Sequence, residues 1–268
     1  AVRKLGFTAQ KAMSVAQRAK YLIKYGKVLE AHADHLTELD VQDGGMTVTK
    51  SGEDVKRSIK WCIDYIGYAM ELKGRTYASA SDTLSYTTRD PYGIVGQIAP
   101  FNHPQNFGAK AILPAVIAGN AVLVKPPEQA SLSTLALAQL AKDVFPPGIV
   151  NVITGHGREV GNAIAAHPQI PRIGFVGSVP TGRRILEAGA ACIKHVTLEL
   201  GGKNPLIVTD GIDVEFAAKT ILRNMNLSHC GQSCQSSTRA LVHKSIYAKV
   251  VDRLAELMKG VKVGDPAS

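Results

Sequence analysis

The sequence predicts an α/β protein: a doubly wound parallel-sheet domain followed by the start of a second α/β domain. Two observations carry this. Between Gly93 and Leu200, short apolar runs alternate with helical stretches of roughly 10–16 residues, the signature of right-handed crossovers in a parallel sheet. After Gly201 the strand–helix alternation begins again with a new set of residues.

The elements follow in order. Residues 8–39 repeat apolar positions at intervals of three and four without a proline, which predicts one or two helices. Residues 53–73 repeat the pattern around Trp61, Ile63, Ile66 and Met70. Short alternating polar runs between Arg75 and Asp90, with Tyr77, Leu84 and Tyr86, predict an extended hairpin. The runs GIVGQIA, AVLVK, GIVNVIT, RIGFVG and VTLEL then read as strands, separated by helices over 106–118, 132–144, 159–167 and 181–191. Beyond Gly201 come a strand (PLIVT), a helix over 214–227, a polar turn with Cys230 and Cys234, a strand (RALVH) and a helix over 246–259. The implied boundaries are 1–74 with 93–200 for the first domain, 75–92 for the hairpin arm, and 201–268 for a partial second domain. A domain of the latter topology needs ~100 residues to close its core, so the sequence reads as truncated at its C-terminus.

Composition narrows the function classes. The longest nearly apolar stretch, 111–124, contains Pro114, Gly119 and Asn120 and is shorter than the ~20 residues a bilayer requires, so no membrane helix is expected. A net charge of +9 raises the question of nucleic acid, and seven Lys or Arg without an acid lie within the first 27 residues. They are spread through a helical pattern with no base-stacking surface, which reads as a solvated face rather than a nucleic-acid site. Four irregularly spaced cysteines in a chain of this size favour a reducing compartment, with the cytoplasm as default.

Parallel sheets bind ligands beyond the C-terminal ends of their strands, and polar residues collect there in this sequence. The first strand of the alternation runs into Pro100-Phe101-Asn102, where an Asn near two prolines has little freedom and its amide can donate to a developing oxyanion. Lys125-Pro126-Pro127-Glu128 ends the second, with Lys and Glu where a nucleotide ribose would lie. Gly155-His156-Gly157-Arg158-Glu159-Val160-Gly161 reads either as a variant dinucleotide loop or as packing glycines. In Phe175-Val176-Gly177-Ser178, Gly177 permits close backbone approach, and Ser178 reads as a phosphate contact or an ordinary N-cap. Glu199 ends VTLEL between apolar neighbours; partial desolvation there favours a general base, and a structural salt bridge is the alternative. Cys234 sits in a polar glycine-containing loop, where backbone N–H groups would make it partly thiolate and nucleophilic. A zinc site from His229, Cys230 and Cys234 fits poorly, since adjacent ligands strain tetrahedral geometry and no second pair completes it; no metal is expected.

In order and spacing, PFN, KPPE, TGHGREVG, FVGS, LELGGK and GQSC followed by Arg239 resemble the aldehyde dehydrogenase superfamily from about Phe7 to the end of the chain. The resemblance implies Cys234 as nucleophile, Asn102 with the Cys234 N–H as oxyanion hole, and Glu199 as the base that hydrolyses a thioester. It implies cofactor contacts at Lys125, Glu128, Gly157, Gly177, Ser178 and Gly201, with NAD preferred over NADP because Glu128 would repel a 2′-phosphate. An aldehyde is the implied substrate, and a dimer or tetramer the implied assembly of the full-length form. A catalytically silent nucleotide-binding or scaffold fragment is the alternative. Two departures stand out. The Lys usual nine residues after the oxyanion Asn is replaced by Ala111, with Lys110 beside it, and the channel positions Gln105, Asn106 and Phe107 are more polar than is common. The family's second Glu, which holds the nicotinamide ribose, falls beyond Ser268.

Overall fold

The computed structural model describes residues 13–267. Three helices open it: α1 (Val15–Ala31), α2 (Ala33–Gly44) and α3 (Val48–Met70). Ser14 and Gln17 form a reciprocal capping box at the start of α1, and Gly45, left-handed at φ 68°, stops α2. The single helical pattern over 8–39 is thus broken at His32, and its first residues lie outside those described. The helix expected from residue 53 starts at Val48 instead, because the Thr47 hydroxyl accepts the Lys50 N–H and caps it. A short antiparallel pair, β1 (Thr76–Tyr77) and β2 (Ser85–Tyr86), follows, exposed throughout.

The centre is a parallel five-stranded sheet. In chain order its elements are β3 (Ile94–Ile98), α4 (Pro104–Ile117), β4 (Ala121–Lys125), α5 (Leu132–Lys142), β5 (Val150–Val152), α6 (Asn162–Ala166), β6 (Arg172–Val176), α7 (Val179–Ala190) and β7 (His195–Glu199). The order across the sheet is β5-β4-β3-β6-β7, so the chain winds one way from β3 to β5 and the other from β6 to β7. This is the doubly wound arrangement that the alternation predicts. The helix expected over 159–167 begins as a π-turn, Gly157–Gly161, before α6 takes over.

The two-residue period of the strands sorts side chains between two cores. Val95, Val122 and Val124 join Leu22, Tyr25, Leu29, Ile112, Leu113 and Leu137 on the face covered by α1, α3, α4 and α5. Ile94, Ile98, Leu123, Ile173 and Phe175 face the other way, onto Ile164, Ile170 and Ile185 of the α6 and α7 side. Gly96 belongs to that second face: a Cβ there would lie 2.8 Å from the Ile164 side chain, so glycine is what lets α6 pack close. A second parallel pair, β8 (Asn204–Val208) and β9 (Ser237–Val242), packs with α8 (Val214–Asn224) and α9 (Tyr247–Lys259) around Val208, Ala217, Ile221 and Val250.

Register aligns the strand ends. Ile98 pairs with Lys125 and Val176 with Glu199, so the segments after β3, β4, β6 and β7 open on one edge of the sheet.

Candidate active site

Two clefts open at that edge and meet where β3 and β6 end, sharing Ile98, Ala99, Pro100, Phe175 and Val176. The first, about 340 Å³, is bounded by Lys125, Glu128, Gly157, Gly177, Ser178 and Thr181. Lys125 is 2% exposed, its ammonium donating to Glu128 Oε2 at 2.7 Å and to the Pro126 carbonyl at 2.9 Å. Glu128 Oε1 accepts the Gly157 N–H at 3.0 Å. Desolvation opposes ionisation of Glu128, but the Lys125 ammonium and the Gly157 N–H outweigh it and bring its pKa down to about 2. The pair is a pre-set anion and ammonium at the lip of the cleft.

Ser178 caps α7, accepting the Thr181 N–H at 3.4 Å and lying 3.0 Å from the Thr181 hydroxyl. Its N-cap role is therefore real, and no acidic residue occupies the first turn of α7 to neutralise the helix dipole. Gly177 is needed for a nearer reason than ligand approach: a Cβ would lie 2.5 Å from the Phe175 ring. The polar set (an ammonium that donates, a carboxylate that accepts and a positive helix end) fits a ligand with both hydroxyls and phosphates.

The second cleft, about 480 Å³, holds Cys234 and Glu199 together with Asn106, Phe107, Lys110, Arg57 and Trp61. Burial first, and the Glu199 carboxylate second, push the Cys234 thiol up; its own N–H, the Gln235 N–H and Lys110 pull the other way without prevailing. The N–H groups foreseen around the cysteine are present, but burial and Glu199 outweigh them. The desolvation expected for Glu199 is also absent. Its side chain is exposed, because the strand alternation turns it to the face of β7 opposite the half-buried Val196 and Leu198, and it accepts the Gly201 N–H at 3.2 Å. Gly201, left-handed at φ 62°, lies beside the cysteine rather than lining the first cleft; a Cβ on it would be 3.9 Å from that of Cys234.

Asn102 reaches the cysteine loop, its amide donating to the Gln232 carbonyl at 2.8 Å while Oδ1 is buried without a partner among the described residues. One of its two Nδ2–H groups is thus spent holding the loop, and Asn102 itself lines neither cleft. The loop is tied further by Asn204, which donates to the carbonyls of Cys234 (2.7 Å) and Ser236 (3.1 Å), and by the Thr47 hydroxyl on the Ser228 carbonyl (2.8 Å). Of the three channel positions, Asn106 and Phe107 line this cleft, but Gln105 does not. It is fully buried between helices and accepts from the Ser58 hydroxyl at 3.0 Å.

Sequence reasoning missed the polar layer behind Asn102. His103 stacks on His229 at 3.8 Å between ring centroids, and its Nδ1 contacts Asp54, which is fully buried. Burial, then His103, lowers the His229 pKa to about 4 against a weaker pull from the Asn102 backbone, and neither ring nitrogen has a hydrogen-bond partner of good geometry among the described residues. The partners of His103 are 49 and 126 positions away, and no local pattern announces them. Among the described residues no group of three or more His, Cys, Asp or Glu side chains could hold a metal ion, and no helix is long and apolar enough to cross a membrane.

Residues 2–268 match the model of the aldehyde dehydrogenase family. The chain is 40% identical over 253 residues to an aldehyde dehydrogenase of Emericella nidulans, covering 94% of this chain and 51% of that protein. It is 38% identical over 268 residues to one of Aspergillus niger, covering 99% and 54%. The NAD+ complex of an aldehyde dehydrogenase from Bacillus cereus superposes with a TM-score of 0.92 at 35% identity, over 97% of this chain and 53% of that one. The chain therefore spans about half the length of the curated relatives it matches. With a family match over nearly all its residues and the ordered strand-end motifs gathered on one sheet edge, the chain belongs to the aldehyde dehydrogenase family.

Proposed function

We propose that the protein containing this chain oxidises an aldehyde to a carboxylic acid with NAD, using Cys234 as nucleophile, Glu199 as general base and Asn102 as oxyanion donor. The observation that carries the reading is the meeting of the two clefts at the ends of β3 and β6, with a thiol and a carboxylate in one and the Lys125–Glu128 pair in the other.

The residues divide the work as follows. Lys125 and Glu128 take the ribose hydroxyls of the adenosine half, and the α7 N-terminus with Ser178 takes the pyrophosphate. Gly157 supports this by holding Glu128 through its N–H. An ionised Glu128 at the ribose disfavours a 2′-phosphate, which supports NAD over NADP. Bound there, the nicotinamide would accept the hydride that turns a Cys234 thiohemiacetal into a thioester. The Cys234 sulfur adds to the aldehyde carbonyl, its thiol proton leaving to water in the cleft, a step that does not call on Glu199. The second Nδ2–H of Asn102 and the Cys234 N–H stabilise the oxyanion, a contribution of about 10²–10³ in rate for one such donor. Glu199, exposed and steered by the Gly201 N–H, then takes a proton from water as it attacks the acyl group.

On this reading residues 1–74 and 93–200 form the cofactor domain, 75–92 an arm for a dimer or tetramer, and 201–268 part of the catalytic domain, in a protein of the cytoplasm whose cysteines are free thiols. The test is NADH formation over a panel of aldehydes, comparing wild type with Glu199→Gln. The expected result is a retained first burst and a steady rate down by about 10²-fold or more. Equal loss of burst and steady rate would remove Glu199 from the hydrolytic step.

A further inference from the structure

Resting on that reading of the Cys234 cleft, we propose that its substrate is an aldehyde carrying an anionic group, such as a carboxylate at the far end of its chain, with Lys110 and Arg57 as the counter-charges. Lys110 projects from α4 into the cleft. Among the described residues its ammonium has no carboxylate partner; it rests 5.6 Å from the Phe107 ring centroid and 6.0 Å from that of Trp61. Aromatic faces at that range hold a cation loosely, so an entering anion outcompetes them. Its charge also registers at the Cys234 thiol, so it acts within the space a substrate must cross.

Arg57 adds a second cation whose neutralisation is incomplete. One of its guanidinium nitrogens meets Asp54 Oδ1 at 3.3 Å, and the side chain is 47% exposed. That one carboxylate also faces Lys50 at 3.9 Å and the His103 ring, so it is shared among three groups. The remaining guanidinium N–H donors suit a carboxylate. Among the described residues lining the cleft, the fixed cations are Arg57, Lys110 and Arg172, and the one carboxylate is that of Glu199, which the proposed reaction itself employs. A cationic aldehyde would meet Lys110 already seated on the aromatic faces that would otherwise receive it.

The competing explanation for Lys110 is that it serves the thiolate alone. Alkylation separates the two. The chain is treated in parallel with iodoacetate, which is anionic, and iodoacetamide, which is neutral, at low salt. Rates are read site by site from peptide masses at Cys234 and at the exposed Cys192. The ratio of the two rates cancels the thiolate fraction. We expect the iodoacetate-to-iodoacetamide ratio at Cys234 to exceed that at Cys192. Lys110→Gln should lower it roughly fivefold, Lys110→Arg should retain it, and high salt should erode it in wild type. A ratio at Cys234 equal to that at Cys192 would overturn the proposal. So would equal slowing of both reagents by Lys110→Gln, since that is the behaviour of a thiolate stabiliser. The ratio needs no turnover, so failure to form NADH would strike the aldehyde-oxidising reading while leaving this result legible.

Discussion

The five-stranded sheet and the β8–β9 pair are built from the same strand–helix unit, yet only the first has strands, β3, β4 and β6, covered on both faces. Every residue of β4 is buried or half-buried, whereas the middle of β9 is exposed and Ile207 and Leu241 stand 70% and 55% open. Parallel strands gain most of their stability from cover on both sides, so the larger sheet and its helices carry the stability of the chain. The cysteine loop joins the two regions, and its tethers run both ways: Thr47 and Asn102 from the large region, Asn204 from the small one. Cys234 is therefore held from both regions, with the bond to its own carbonyl coming from Asn204 of the small unit and the bonds to Gln232 and Ser228 from the large one.

That difference can be tested by substitution, read as denaturant unfolding of the chain. Ile112→Ala, at a fully buried position of α4, should cost about 4 kcal/mol through lost burial and a cavity. Asp40 is the weak point of the same region. It is fully buried without a hydrogen-bond partner of good geometry, and desolvation raises its pKa from 3.8 to about 7 against weaker pulls from Ser133 and the Gln105 backbone. A carboxyl raised on folding contributes stability that is complete below its unfolded pKa and is lost as pH rises through the folded one. Wild type should thus lose stability between about pH 4 and 7. Asp40→Asn should flatten that slope and exceed wild type at pH 8 by on the order of 2 kcal/mol. A slope unchanged in the variant would mean that Asp40 is not the titrating group.

Asn204→Ala should cost less, about 1 kcal/mol, because its two bonds to the cysteine loop are only partly buried. Ile207→Ala, on the open face of β8, should change stability by no more than ~0.5 kcal/mol. A loss there as large as at Ile112 would mean that the small unit is as well packed as the large one and would break the comparison.

How much was legible follows the range of each cause. AVLVK was readable as a strand because its period, length and flanking residues are local, and the strand-end motifs followed from the sheet rule. The environment of Glu199 was not: VTLEL reads as a buried strand, but whether a distant segment covers its second face is set by the fold, and among the described residues that face is exposed. The side of α4 on which Gln105 falls is set by packing against Ser58, 47 residues earlier. The His103–His229–Asp54 layer joins three distant segments, each with an unremarkable local sequence. Local chemistry was legible; neighbours brought together by the fold were not.

In the proposed reaction Cys234 carries the acyl group and Glu199 releases it. The most direct test is to mix the protein with NAD and aldehyde, quench in acid, and map the acyl mass by peptide in wild type and Glu199→Gln. Acylation is expected at Cys234 alone, accumulating in Glu199→Gln. NADH formed with Cys234 unmodified in that variant, or with the acyl group on Cys230, would contradict this assignment.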